Sequence, residues 1–293
     1  MSQPFALRGV FGVLPTAFTD DGALDRDGTA ALVRAYVGAG VSGLTVLGVM
    51  GEAAELSEAE RADVVSLAVG EAGSVPVVVG VTGATADLVA ARGRDAAGRG
   101  VSALMASPSP TLGLSASVAA AAAGGLPIVI QDQPAASGVT LTVDEIGIAA
   151  EQQPLVVGVK AEGPPTSGVI ARLRERWPQL AAMGGLGGLF LIDELRAGST
   201  GVMTGFALPD RLVSIVRTFP SDPAAAERAW TELLPLMRFE AFAPFSLIAR
   251  KEVWRLRGVI ASAYCRRAGA RLDDTARDDI ARALAQVREP VAT

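Results

Sequence analysis

Between residues 9 and 205, eight short apolar runs rich in β-branched residues alternate with alanine-rich stretches of helical character. The runs cover 9–14, 43–47, 75–79, 103–105, 127–130, 155–159, 181–183 and 201–203. Apolar throughout, they read as parallel strands covered on both faces, not as half-exposed alternating ones. The intervening helices have legible starts. Ser57 with Glu60 and Thr142 with Glu145 are capping-box pairs, and Asp222-Pro223 supplies an N-cap followed by a first-turn proline. Eight such units in about 250 residues close into an α/β fold of the (β/α)8, or TIM, barrel type. An open doubly wound sheet would need a glycine-rich phosphate turn after the first strand, where this chain has Pro15-Thr16-Ala17-Phe18. Past Leu208-Pro209 the strand signal stops, and about three amphipathic helices carry Trp230, Trp254 and Tyr264. The expected division is a barrel over 1–208 and a C-terminal helical extension over 209–293, packed on the barrel because no linker separates them.

With 293 residues, half of them hydrophobic, the chain can bury a large core. Its most apolar stretch, 116–130, is broken by Gly124, Gly125 and Pro127, so no membrane span is expected. Residues 1–8 lack the pattern of a secretory leader, and a lone Cys265 offers no internal disulfide, which together suggest a cytoplasmic protein. A net charge of −5 without a basic run argues against a nucleic-acid partner.

The composition also shortens the list of possible chemistries. There is no histidine, which excludes Ser-His-Asp and Cys-His triads, a histidine base and a His-ligated zinc. No metal is expected. Lys160 and Lys251 are the only lysines, and Tyr36 and Tyr264 the only tyrosines.

Active sites of α/β barrels lie at the carboxyl ends of the strands. The sixth run leads straight into Lys160-Ala161-Glu162, and strand alternation puts Lys160 and Glu162 on one face. If that face is inward, Lys160 is a desolvated amine suited to attack a carbonyl carbon. If it is outward, the two form an ion pair at the rim. Lys251, in Arg250-Lys251-Glu252-Val253-Trp254-Arg255, reads as part of a solvated helix face.

The segment from Gly43 to Ser57, with Gly48-Val49-Met50-Gly51-Glu52 at its centre, resembles the G-L-x-x-x-G-T-T-G-E-x-x-x-L-S signature of the dihydrodipicolinate synthase and N-acetylneuraminate lyase superfamily. Pro15 to Gly22 is similar to its T-P-F-x-x-x-G turn, and Val157-Gly158-Val159-Lys160 to its Schiff-base strand. Gly198 to Thr204 and Arg257 to Ile260 resemble its strand-eight and tail motifs, so the likeness runs in order from about residue 8 to 285. It implies a (β/α)8 barrel with a helical extension and an imine between Lys160 and a 2-oxo acid, often pyruvate. It also implies no cofactor and a homo-oligomer, dimer or tetramer. The expected function is a class I aldolase or lyase that makes or breaks a carbon–carbon bond. Alternatives are a 2-keto-3-deoxy sugar acid dehydratase or hydratase, and a barrel that binds a 2-oxo acid without turnover.

The turn Gly48–Gly51 has its own physical reading, as a nest of backbone N–H groups for a carboxylate with Thr16 nearby, or simply as a tight turn. Val49 and Met50 stand where the family has two substrate-binding threonines. Met203, in the strand-eight segment, is expected at the substrate. Glu52 has a catalytic reading and a structural one, and the resemblance favours the second, a family residue that accepts hydrogen bonds from backbone groups. In the family's Y-N-x-P segment the tyrosine is the acid/base, but here Gln131-Asp132-Gln133-Pro134 appears, and an amide cannot transfer a proton at ordinary pH. Ala135 or Ala136 replaces the synthases' arginine, and Ser107-Pro108-Ser109-Pro110 the second tyrosine site. These departures argue against synthase activity. The proton must then move through Glu162, Asp132, or a water held by Gln131 or Ser109. The glycine run Gly184 to Gly188 would let backbone approach the pocket, or is a plain loop.

Overall fold

A computed structural model describes residues 5–241, 245–267 and 271–288. The first four residues of the stretch read for a leader lie outside them. Eight strands, β1 (Gly9–Val13), β2 (Gly43–Val46), β3 (Val77–Gly80), β4 (Ala103–Ala106), β5 (Ile128–Asp132), β6 (Val156–Ala161), β7 (Ala181–Gly184) and β8 (Gly201–Thr204), form a closed barrel. Each pairs in parallel with the next, and β8 closes onto β1. Nearly every strand residue is buried, which is why the runs lack alternation: one face fills the barrel and the other meets the helices.

Phe11, Val13, Met105, Val129, Met183 and Met203 belong to the cluster inside the barrel. A larger cluster lies between strands and helices. Both capping boxes form, with the N3 amides of Glu60 and Glu145 donating to Ser57 and Thr142 and the carboxylates accepting in return. Asp222 accepts from the Ala225 amide at 2.9 Å.

Two strands run further than their apolar stretches. β5 continues through Gln131 and Asp132, and β6 through Lys160 and Ala161, with Gln131 opposite Lys160 and Asp132 opposite Ala161. The Glu162 amide extends this ladder by donating to the Asp132 carbonyl at 2.7 Å. Backbone pairing is indifferent to side-chain polarity, so the ladder carries polar residues to the barrel mouth beyond the apolar run.

Past β8 the described residues contain five helices, Pro209–Thr218, Pro223–Thr231, Leu234–Ala241, Ser246–Leu256 and Asp274–Arg288. The first packs against β1 and continues the helical ring. Among the described residues no helix is long and apolar enough to cross a membrane.

The solvated face expected at Lys251 is not found. Lys251 is wholly buried, with Nζ 2.5 Å from Glu52 Oε1, 2.7 Å from the Tyr264 carbonyl and over the Phe18 ring. Glu252, also buried, pairs with Arg255 and Arg277. Helix Ser246–Leu256 lies between the barrel and the following chain, so partners distant in sequence absorb its charges. Losing one partner of a buried pair strands the other, at about 3–5 kcal/mol. Lys251→Met should therefore lower unfolding stability in denaturant titrations by that amount, and adding Glu52→Gln should recover part of it.

Candidate active site

Lys160 and Glu162 share the inward face of β6 and its extension, and both are almost fully buried. Lys160 Nζ lies 2.9 Å from Glu162 Oε2, so the ion pair and the inward placement hold together. Gln131 Nε2 donates to the same Glu162 oxygen at 3.1 Å and to Gln133 Oε1 at 3.1 Å. Its own Oε1 accepts from Ser107 Oγ at 3.0 Å, which fixes the direction of the amide. The other Glu162 oxygen accepts from the Leu186 amide at 3.2 Å. Gln131 thus orients the carboxylate beside the lysine, a positioning role that an amide can fill without moving a proton.

Glycines at and just past the end of β7 leave room for two buried carboxylates. A Cβ on Gly185 would lie 2.3 Å from Glu162 Oε1, and one on Gly184 1.8 Å from Glu194 Oε2. Leu47, Glu52 and Leu186 adopt left-handed backbone at φ 56°, 51° and 43°, following β2, its turn and β7. Each costs on the order of 1–3 kcal/mol for a non-glycine residue, and Leu186 lines the cavity itself.

The cavity above Lys160 encloses about 360 Å³. Gly48, Val49 and Met50 line one side, Gln131, Gln133, Ala135 and Ala136 another, and Gly187, Gly205, Glu240 and Arg250 a third. Gly51 and Thr16 do not line it. The Gly51 amide donates to the Gly48 carbonyl at 3.0 Å, and Thr16 Oγ1 to the Gly51 carbonyl at 2.7 Å. Thr16 therefore braces the turn instead of facing a ligand. That leaves the amides of Val49 and Met50, which open the short helix where N–H groups have no carbonyl within the turn. Glu52 is an acceptor, taking Lys251 on one oxygen and the Arg267 amide on the other at 2.8 Å. Arg267 Nη2 donates to the Val49 carbonyl at 3.1 Å, placing a cation at the rim.

Besides Thr16 and Gly51, two more expected substrate contacts fall elsewhere. Met203 sits in the barrel interior, and Thr204 and Gly205, one pleat further along, reach the cavity instead. Asp132 faces away from Gln131, towards Gly163 and Pro134, and its Oδ1 has no hydrogen-bond partner among the described residues. Ser109 bonds Thr111 and the Leu112 amide and lines an adjoining cavity. Tyr36 is buried against Trp254, and neither it nor Tyr264 lines the lysine cavity. Among the described residues, no cluster of three or more His, Cys, Asp or Glu side chains could hold a metal.

Three buried carboxyls gather around β5, β6 and β7. Burial, reinforced by the charge of Glu162, pushes Asp132 up to about 6. Glu194 is pushed up to about 7 by burial, against the hydrogen bond from Thr166. A raised acid binds its proton more tightly in the folded state, so stability falls as pH rises from about 4 to 6 through Asp132. Asp132→Asn should raise the melting temperature at pH 7–8, by on the order of 2–3 kcal/mol of stability, and change little at pH 3.5.

The sequence features did not single out Arg250, Glu240, Arg267 or Glu194. Charge in the Arg250–Arg255 stretch was the only signal for the first, and it gave no direction.

Residues 6–287 match the dihydrodipicolinate synthetase family. The chain is 32% identical over 280 residues to L-2-keto-3-deoxyarabonate dehydratase of Azospirillum brasilense, covering 87% of this chain and 86% of that protein. It is 35% identical over 206 residues to 4-hydroxy-tetrahydrodipicolinate synthase of Stenotrophomonas maltophilia, 68% of this chain and 69% of that one. The crystal structure of dihydrodipicolinate synthase from Rhodopseudomonas palustris superimposes with a TM-score of 0.90 at 32% identity, covering 95% of this chain and 97% of that one. With a strand-six lysine at the mouth of a closed eight-stranded barrel and a match along almost its whole length, the chain belongs to the dihydrodipicolinate synthetase family of class I, Schiff-base aldolases and lyases.

Proposed function

We propose that Lys160 forms an imine with C2 of a 2-oxo acid whose carboxylate rests on the Val49 and Met50 amides, and that Glu162 moves the protons. The amine adds to the carbonyl and water leaves. The resulting iminium draws electron density from C3, which can lose a proton to give an enamine. The enamine then adds to an aldehyde, or forms in reverse as the C3–C4 bond breaks. The observation that supports this reading is the buried Lys160–Glu162 contact of 2.9 Å in the cavity wall. Borohydride reduction with pyruvate tests it: intact mass should show one reduced adduct, and peptide mapping should place it on Lys160.

A second reading, expulsion of a C4 hydroxyl as water from the same enamine, draws support from the similarity to the A. brasilense dehydratase. Incubation with a 2-keto-3-deoxy sugar acid separates the two, since carbon–carbon cleavage releases pyruvate to a lactate dehydrogenase coupled assay and dehydration does not. Aspartate semialdehyde should be a poor second substrate. The wall after β5 presents the methyl groups of Ala135 and Ala136 and no guanidinium. Robust synthase turnover in a coupled assay would contradict this expectation.

A further inference from the structure

Arg250 is a charged cavity residue to which the imine chemistry assigns no task. It arrives from helix Ser246–Leu256 of the C-terminal extension and is almost fully buried. Nε donates to Glu240 Oε2 at 3.1 Å and Nη2 to the Glu240 carbonyl at 2.8 Å. Glu240, wholly buried, also accepts from the Ala207 amide. The guanidinium is thereby clamped from one side. Two glycines lie on the other side: a Cβ on Gly205 would lie 3.5 Å from Nη1, and one on Gly187 3.4 Å from Nη2. Two side-chain-free positions, after β7 and β8, leave the planar group open to the cavity.

We propose that Arg250 is a specificity-determining residue that binds a hydroxyl oxygen on the far end of the substrate chain, beyond C3 of a 2-oxo acid. This rests on the head of the acid lying at Lys160 and the Val49–Met50 turn. With the head there, the walls left for the tail include Gln133 and the methyls of Ala135 and Ala136 on the β5 side, Ser246 of the extension, and the Arg250 guanidinium as the cation on the β7–β8 side. A cavity of about 360 Å³ lies in the range of roughly 300–1,000 Å³ typical of sites for ligands larger than pyruvate. Guanidinium N–H groups only donate, so the tail must offer an acceptor oxygen. Charge selects between a hydroxyl and a second carboxylate. Lys160 faces Glu162, Arg250 faces Glu240, and Arg267 at the rim stands by the turn that holds the first carboxylate. A second carboxylate would enter a wall whose cation already has its counter-ion, whereas a neutral hydroxyl needs only one N–H.

Calorimetric affinities for a 2-keto-3-deoxy sugar acid, 2-oxopentanoate and 2-oxoglutarate, alongside borohydride trapping with pyruvate, test the assignment. In Arg250→Met, affinity for the hydroxylated acid should fall about 10–100-fold, the range for a lost hydrogen bond to a charged group. Pyruvate trapping and 2-oxopentanoate affinity should stay within about twofold. Because Met leaves Glu240 unpaired, Arg250→Lys, which keeps the charge and shortens the reach, must show the same selective loss. An equal loss for all acids, no loss for the hydroxylated one, or a loss confined to 2-oxoglutarate would each overturn the assignment. If no acid is trapped by the unaltered enzyme, the imine reading fails, while the affinity comparison still decides the role of Arg250.

Discussion

Lys160→Arg is expected to abolish borohydride trapping with every 2-oxo acid and to lower turnover by on the order of 10⁴–10⁶-fold, the scale on which covalent catalysis collapses without its nucleophile. Arginine keeps a positive charge beside Glu162, whereas alanine would leave that buried carboxylate unpaired at a cost of about 3–5 kcal/mol. Circular dichroism and the unfolding midpoint should therefore change less in Lys160→Arg than in Lys160→Ala, with both variants failing to form an adduct. The assignment is unusually clean because only one other lysine exists. Lys251 is fully buried, held by Glu52 and the Tyr264 carbonyl, and does not line the cavity. An adduct that persists in Lys160→Arg, or maps to Lys251 in the unaltered enzyme, would remove the nucleophile from the mechanism.

The barrel was legible because its strands are buried on both faces and its helices begin with hydrogen-bonding residues at fixed spacing. Both signals are local, and Ser57, Thr142 and Asp222 cap as their spacing requires. Lys160 and Glu162 were legible for a similar reason, since alternation on one strand needs no knowledge of the rest of the fold. What escaped was set by contacts distant in the chain. Lys251 meets Glu52, 199 residues away, and no periodicity encodes that distance. Arg250 enters the cavity because the extension returns across the mouth between the loops that follow β7 and β8. Thr16 and Met203 fell one step from their expected places, where a bracing hydrogen bond and one pleat of register decide whether a side chain meets ligand or core.

Those same contacts bear on the group that replaces the tyrosine. With Gln131 locked between Ser107 and Glu162, the carboxylate paired with the lysine is that of Glu162, its two oxygens oriented by Gln131 and the Leu186 amide. One of them is 2.9 Å from Nζ. In the proposed imine that nitrogen would be bonded to C2, which would put C3 and its departing proton one bond further on, on the side of the molecule where this oxygen lies. A base at hydrogen-bond distance contributes roughly 10²–10⁴ to a rate. Glu162→Gln keeps the shape and can still accept from the Leu186 amide, but it cannot take a proton. The variant should therefore be trapped with pyruvate as the unaltered enzyme is, and lose about 10²–10⁴-fold in turnover. Exchange of the pyruvate methyl protons with deuterated water, followed by NMR, isolates the C3 step and should fall by the same factor. Near-normal exchange would move the base to a bound water or to Asp132. Loss of trapping with turnover would mean that Glu162 serves the lysine amine instead of the carbon acid.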